Sequence, residues 1–225
     1  MGTAAVLPIK SFTSAKQRLA DAVAGADRRR LAEAMVTDVL ATLAGVSSLD
    51  YVVVVTAEPL AARVAERFGA FVVHDPDEAG QSAAALRGID AALARGAERV
   101  LLVPGDCPAL DSDEVSRLLA GAPGDPSVVI VPDRHGSGTN ALVLTPPAAM
   151  EPSFGAGSLA RHAACARAAG ATVKVCDLPS LGLDVDTPDD LVALRSALDA
   201  RPEAAARTRA VLDRLVGPLV PAEAC

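Results

Sequence analysis

The amino-acid sequence predicts an α/β architecture, a mostly parallel central sheet flanked by helices. Three observations point to it. Short β-branched runs alternate with longer stretches of Ala, Leu and Arg over the 225 residues, as repeated βαβ units require. The run Val52-Val53-Val54-Val55 is apolar at every position, as a strand covered by helices on both faces must be. Hydrophobic residues make up 51% of the chain, and 47 residues are alanine, which loses no side-chain entropy in a helix.

Strands are expected over residues 4–9, 51–56, 70–74, 99–104, 127–131, 141–144 and 172–176. Helices are expected over 27–43, 59–68, 81–95, 112–120, 158–169 and 188–199. In the third helix, Ala83 to Leu86 with Ile89, Ala92 and Leu93 forms one apolar stripe at helical spacing. Thr187-Pro188-Asp189-Asp190 reads as an N-cap, a proline at the first helical position and acids in the first turn. Arg201-Pro202 then breaks the helix. One domain over 3–200 follows, with a C-terminal segment over 201–225. There, 203–216 suits an amphipathic helix, and Gly217-Pro218 and Pro221 suit a frayed end.

Charge and composition exclude several functions. The net charge is −7, so a polyanion such as nucleic acid is repelled. No apolar run approaches the ~18 residues of a membrane span, and the first eight residues lack a signal-peptide pattern. The four cysteines are scattered without a C-x-x-C pair. A cytoplasmic protein is expected, with neither nucleic acid nor membrane as a partner.

Ligands of open parallel sheets bind outside the carboxyl ends of the strands, so the loops there are the candidates. The loop after the first strand carries Lys10, Lys16 and Arg18 within nine residues, and the whole chain has only three lysines. Such a cation island suits phosphate oxygens, although a solvated loop accounts for it equally well. After the fourth strand, Pro104-Gly105-Asp106-Cys107-Pro108 sets Asp106 at the sheet edge, where it suits a hard divalent cation or an ordinary turn. Cys107 reads as a small buried hydrophobe. The link Asp133-Arg134-His135-Gly136-Ser137-Gly138-Thr139-Asn140 joins two strands as a hairpin would, with neutral donors in Ser, Thr and Asn. His135 reads as a surface residue. In Phe154-Gly155-Ala156-Gly157-Ser158, Ser158 is placed as an N-cap and the glycines expose N–H groups that suit an anion. In Leu183-Asp184-Val185-Asp186, an extended chain puts both carboxylates on one face, about 7 Å apart.

Taken in order, these motifs resemble one family. Pro-x-Lys…Lys-x-Arg-Leu, Gly-Asp-x-Pro-Ala-Leu, Asp-Arg-x-Gly-x-Gly-Thr, Phe-Gly-x-x-Ser and Asp-Val-Asp-Thr-Pro-x-Asp-Leu run through almost the whole chain. The chain is similar to the 2-phospho-L-lactate and phosphoenolpyruvate guanylyltransferases of coenzyme F420 biosynthesis. The resemblance implies a Rossmann-like nucleotidyltransferase fold, GTP as donor and Mg²⁺ as cofactor. It implies metal ligands at Asp106 and Asp184, with Asp186 beside them, and acceptor contacts at Thr139, Gly155 and Ser158. Lys10 would lie near the phosphates, with Lys16 and Arg18 drawing charge toward the departing pyrophosphate. The base-binding Leu-Asn of related enzymes is replaced by Gly80-Gln81-Ser82-Ala83, where Ser82 stands in for Asn.

The expected reaction joins GMP to phosphoenolpyruvate or 2-phospho-L-lactate and releases pyrophosphate. Small-molecule substrates are the expected partners, and a homodimer is compatible with this reading. Two rivals remain at this point: a molybdopterin cytidylyl- or guanylyltransferase, and a non-catalytic nucleotide-binding module.

Overall fold

The alternation of β-branched and alanine-rich runs folds into a seven-stranded sheet between two helical layers. The structure is a computed structural model and describes residues 2–12, 16–20 and 22–215. The strands are β1 (Thr3–Ile9), β2 (Tyr51–Thr56), β3 (Phe71–His74), β4 (Arg99–Leu102), β5 (Ser127–Pro132), β6 (Thr139–Thr145) and β7 (Thr172–Val175). The helices are α1 (Gly25–Ala44), α2 (Pro59–Arg67), α3 (Gln81–Leu93), α4 (Ser112–Ala120), α5 (Ser158–Ala168), α6 (Pro179–Gly182), α7 (Pro188–Asp199) and α8 (Ala206–Leu212). Every expected strand and helix is present. The sequence reading missed the short α6 and a 3₁₀ turn over Gln17–Leu19.

Strand order is β3-β2-β1-β4-β6-β5-β7. All neighbours pair in parallel except β6, which runs antiparallel to both β4 and β5. The reversal follows from the short glycine-bearing link 133–138, which is a hairpin connection and leaves no room for a crossover helix. It has a consequence for function. The first residues of β6, Thr139 and Asn140, lie at the edge where β1, β4 and β5 end.

Alternate side chains of β1 feed opposite layers. Ala5, Leu7 and Ile9 pack under α1, α2 and α4, and Ala4 and Val6 pack under α3 and α5. A Cβ at Gly88 of α3 would stand 2.2 Å from Val6 Cγ1, so glycine is what lets this helix lie close against the sheet. A third cluster joins Leu31 and Met35 of α1 to Leu191, Leu194 and Leu198 of α7 and Leu212 of α8. The C-terminal segment, as far as it is described, is therefore part of the core. Its helix is shorter than expected, and residues 216–225, with Gly217, Pro218 and Pro221, lie outside the described residues. No helix among the described residues is long and apolar enough to cross a membrane.

Candidate active site

The loop leaving β1 is anchored from the next strand. Glu58, buried at the N-cap of α2, accepts the Phe12 N–H at 3.1 Å and the Ser11 hydroxyl at 3.4 Å. Lys10 stands exposed where the loop begins. Lys16 closes it in the left-handed region at φ 58°. Its ammonium points inward, donating to Asp106 Oδ2 at 2.5 Å and to Asp186 Oδ1 at 2.9 Å, with the side chain only 7% exposed. Burial disfavours that charge, but Asp106 and Asp186 outweigh it and hold the lysine pKa above its ordinary value. For Asp186 burial likewise works against the charge, and Lys16, Arg18 and Lys10 together pull its carboxyl below the usual range. Arg18 is exposed and its Nη1 lies 3.8 Å from Asp186 Oδ2.

Asp106 and Asp184 face a different situation. The Val185 N–H donates to the Asp106 carbonyl at 3.1 Å, which draws the loop after β4 against the segment before α7. Burial first, and the Asp106 charge second, push the Asp184 pKa up. Asn140 Nδ2 steadies Asp184 by donating to its Oδ1 at 3.1 Å and to the Leu181 carbonyl at 2.9 Å. Asp106 Oδ1 is buried with no hydrogen-bond partner among the described residues. A buried carboxylate oxygen without a donor, beside a second carboxylate that is costly to ionise, fits a hard divalent cation. Among the described residues no three His, Cys, Asp or Glu side chains converge as a metal-binding group. Asp186, which the resemblance sets beside Asp106 and Asp184, shares the Lys16 ammonium with Asp106. The lysine expected to face the pyrophosphate is likewise committed to carboxylates.

Across the edge, the loop before α5 is built from hydrogen bonds to its backbone rather than from ion pairs. Gly155 at φ 115° and Gly157 at φ 68° supply bends that only glycine takes without strain. Gly157 occupies the N-cap position, and Ser158, expected there, is instead the first residue of α5 and is buried. Arg161 straps the loop from one turn inside the helix, donating to Ser153 Oγ at 3.1 Å, the Ser153 carbonyl at 2.9 Å and the Ala156 carbonyl at 2.8 Å. Ser82, expected at the base, accepts the Phe154 N–H at 2.9 Å and so joins the start of α3 to this loop. His162 is fully buried beneath it, 3.0 Å from Thr139 Oγ1 through Nδ1, and accepts the Ser153 N–H at 2.8 Å.

A protein family described as "Guanylyl transferase CofC like" matches residues 3–196. The chain belongs to that family. It is 51% identical over 218 residues to a phosphoenolpyruvate guanylyltransferase of Conexibacter woesei, covering 96% of this chain and 97% of the relative. A phosphoenolpyruvate guanylyltransferase of Sphaerobacter thermophilus is 40% identical, with 86% and 93% covered. Among solved structures, a protein of Desulfovibrio desulfuricans assigned as a nucleotide-diphospho-sugar transferase superposes with a TM-score of 0.72 at 16% identity, over 96% of this chain and 99% of that one. The fold is thus that of the nucleotidyltransferases, and this member of the family is an enzyme.

Several residues of this guanylyl transferase were not singled out from sequence. Asn140 and Glu58 act by holding other groups, and only the topology brings Asn140 to Asp184. Arg134 Nη2 lies 2.7 Å from Asp190 Oδ1, tying the β5–β6 link to the start of α7. Asp190 was expected only to start the helix. It does complete a capping box with Thr187, and it also holds Arg134 and the Asp186 N–H. Cys107 is buried with its thiol pKa pushed up by burial, and His135 is exposed beside Arg134, both as expected.

Proposed function

We propose that this chain transfers the guanylyl group of GTP to the phosphate of phosphoenolpyruvate, with pyrophosphate as the leaving group. The observation that carries the acceptor is the 51% identity, over nearly both full lengths, to a relative of that name. The geometry supports it, because one sheet edge carries a charged cluster and a neutral, glycine-bent loop side by side. The acceptor's phosphate oxygen is already an anion at pH 7, so no side chain has to remove a proton from it. A bond forms between that oxygen and the α-phosphorus, while the bond from the α-phosphorus to the bridging oxygen breaks.

Asp106 and Asp184 would hold Mg²⁺, which when bound neutralises charge on the phosphate oxygens. Lys10 and Arg18 bring positive charge to the triphosphate on a chain of net charge −7. Lys16 keeps Asp106 and Asp186 at a fixed spacing. Thr139 and Ser158 receive the acceptor through their hydroxyls and Gly155 through its backbone N–H, the Ser158 N–H being given to the Gly155 carbonyl at 3.1 Å. Catalysis by this chain is then positioning and charge neutralisation, with no acid–base residue.

Pyrophosphate release from GTP and Mg²⁺ tests the reading with a panel of phosphoenolpyruvate, 2-phospho-L-lactate and phosphorylated acids lacking the adjacent carboxylate. Turnover with phosphoenolpyruvate above the others is expected. A clear preference for 2-phospho-L-lactate, or turnover indifferent to the carboxylate, would overturn it.

A further inference from the structure

The ring of His162 is the one buried imidazole that the proposed chemistry leaves unused, and its two nitrogens have different partners. The Ser153 N–H is a backbone donor and nothing else, so the ring nitrogen it meets at 2.8 Å, Nε2, must accept. The single proton of a neutral ring is then on Nδ1. Thr139 Oγ1, 3.0 Å from Nδ1, therefore accepts from the ring, and its own hydroxyl proton is left to be donated elsewhere. Among the described residues none accepts that proton. Thr139 lies at the first residue of β6, on the edge that carries the glycine-bent loop.

We propose that His162 is a positioning residue that sets the Thr139 hydroxyl as a donor toward the anionic acceptor. This rests on the acceptor reading above. A hydroxyl free to rotate offers a ligand either a lone pair or a proton, and an anion is repelled by the first. The buried ring removes the choice, so an anionic oxygen meets a donor already oriented for it. The ring stays neutral for this purpose. Burial first, and the Arg161 charge second, lower its pKa to about 4. Phe154 packs edge-on against it at 5.2 Å, and the same ring fixes the Ser153 end of the loop, so one side chain sets both halves of the acceptor pocket.

The chain has three histidines, so ¹⁵N-histidine labelling of the wild-type protein resolves the ring directly. At pH 7 one ring should show a protonated Nδ1 and a bare Nε2, the reverse of the tautomer free histidine favours, and this signal should vanish in His162→Gln. A protonated Nε2 on that ring would overturn the proposal without any need for a variant to fold. Kinetics then tests the use of the hydroxyl. His162→Gln keeps an acceptor for Ser153 and loses the donor to Thr139. It should raise KM for phosphoenolpyruvate about tenfold and leave KM for GTP unchanged. Placed in Thr139→Val, the same substitution should add less than about twofold. An equal rise in both backgrounds would show that the ring acts on the loop alone and would overturn the assignment. Absence of any turnover with phosphoenolpyruvate in the wild type would instead overturn the acceptor reading, while the tautomer still reports on the ring.

Discussion

Two loops meet at one sheet edge and are built on opposite physical terms. The region around Lys16, Asp106, Asp184 and Asp186 is held by charge: an inward ammonium at 2.5 and 2.9 Å from two carboxylates, with a third carboxylate alongside. The region around Ser153, Gly155, Ser158 and His162 is held by backbone hydrogen bonds to Ser82, His162 and Arg161, with glycine bends between them. In the first, Lys16 is compensated by Asp106 and Asp186 while Asp184 has only the neutral amide of Asn140, so an arriving phosphate or cation shifts the balance of charge there. The second has its groups fixed before a ligand comes. A charged region that adapts suits a triphosphate of variable geometry, and a fixed region without ion pairs suits discrimination among small acids by shape.

The largest effect should come from the charged side. Asp106→Asn or Asp184→Asn should lower turnover about 10²-fold or more at saturating Mg²⁺, with the circular dichroism spectrum unchanged. Near wild-type pyrophosphate release in either variant would remove that carboxylate from the reaction. On the neutral side, the effect of comparable interest is on stability. His162 takes up a proton at about pH 6.5 when unfolded and only at about 4 in the fold. Between those values the unfolded chain binds more protons, so its contribution to stability is present above pH 6.5 and is lost as pH falls toward 4. Urea unfolding should show about 2 kcal/mol less stability from this group at pH 4.5 than at pH 7, and His162→Gln should flatten that part of the profile. An unchanged slope in the variant would place the acid sensitivity elsewhere.

Thr139→Val and Ser158→Ala should sharpen the division of labour. Each should raise KM for the acceptor about tenfold and leave that for GTP within error. A rise for GTP with the acceptor spared would exchange the roles of the two loops. The smallest contrast concerns two cations. Lys10→Ala should lower turnover about threefold more than Arg28→Ala, because screening mutes a charge far from the phosphates. Arg28 donates to the Val23 carbonyl at 2.8 Å, so its loss should appear in thermal stability instead. Equal turnover losses would make the first loop ordinary surface.

What could be read from sequence follows the same division. Strands and helices were legible because apolar periodicity is local, and Thr187-Pro188-Asp189-Asp190 announced a capping box that forms as expected. That Asp106 stands where β4 ends and Asp184 just before α7 was legible from the Gly-Asp-x-Pro and Asp-Val-Asp-Thr-Pro motifs. The inward turn of Lys16 was not, since it depends on carboxylates 90 and 170 residues away. Nor could Ser82 be placed, because its partner at Phe154 belongs to a loop 72 residues on. The reversed β6 was half legible: the glycine link suggested a hairpin, but not that Thr139 and Asn140 would turn to opposite sides of the edge.

The capping of α8 by α1 bears on the order in which the chain can be finished. Asp38 is only 5% exposed, and its carboxylate accepts the Thr208 N–H at 2.7 Å across 170 residues of sequence. During synthesis the first long helix is made early, carrying an acid whose donors do not yet exist. Until residues 207 and 208 emerge, that carboxylate has to stay in water, and the apolar seam of Leu31, Met35 and Leu212 stays open with it. The α8 helix is thus a closing clasp.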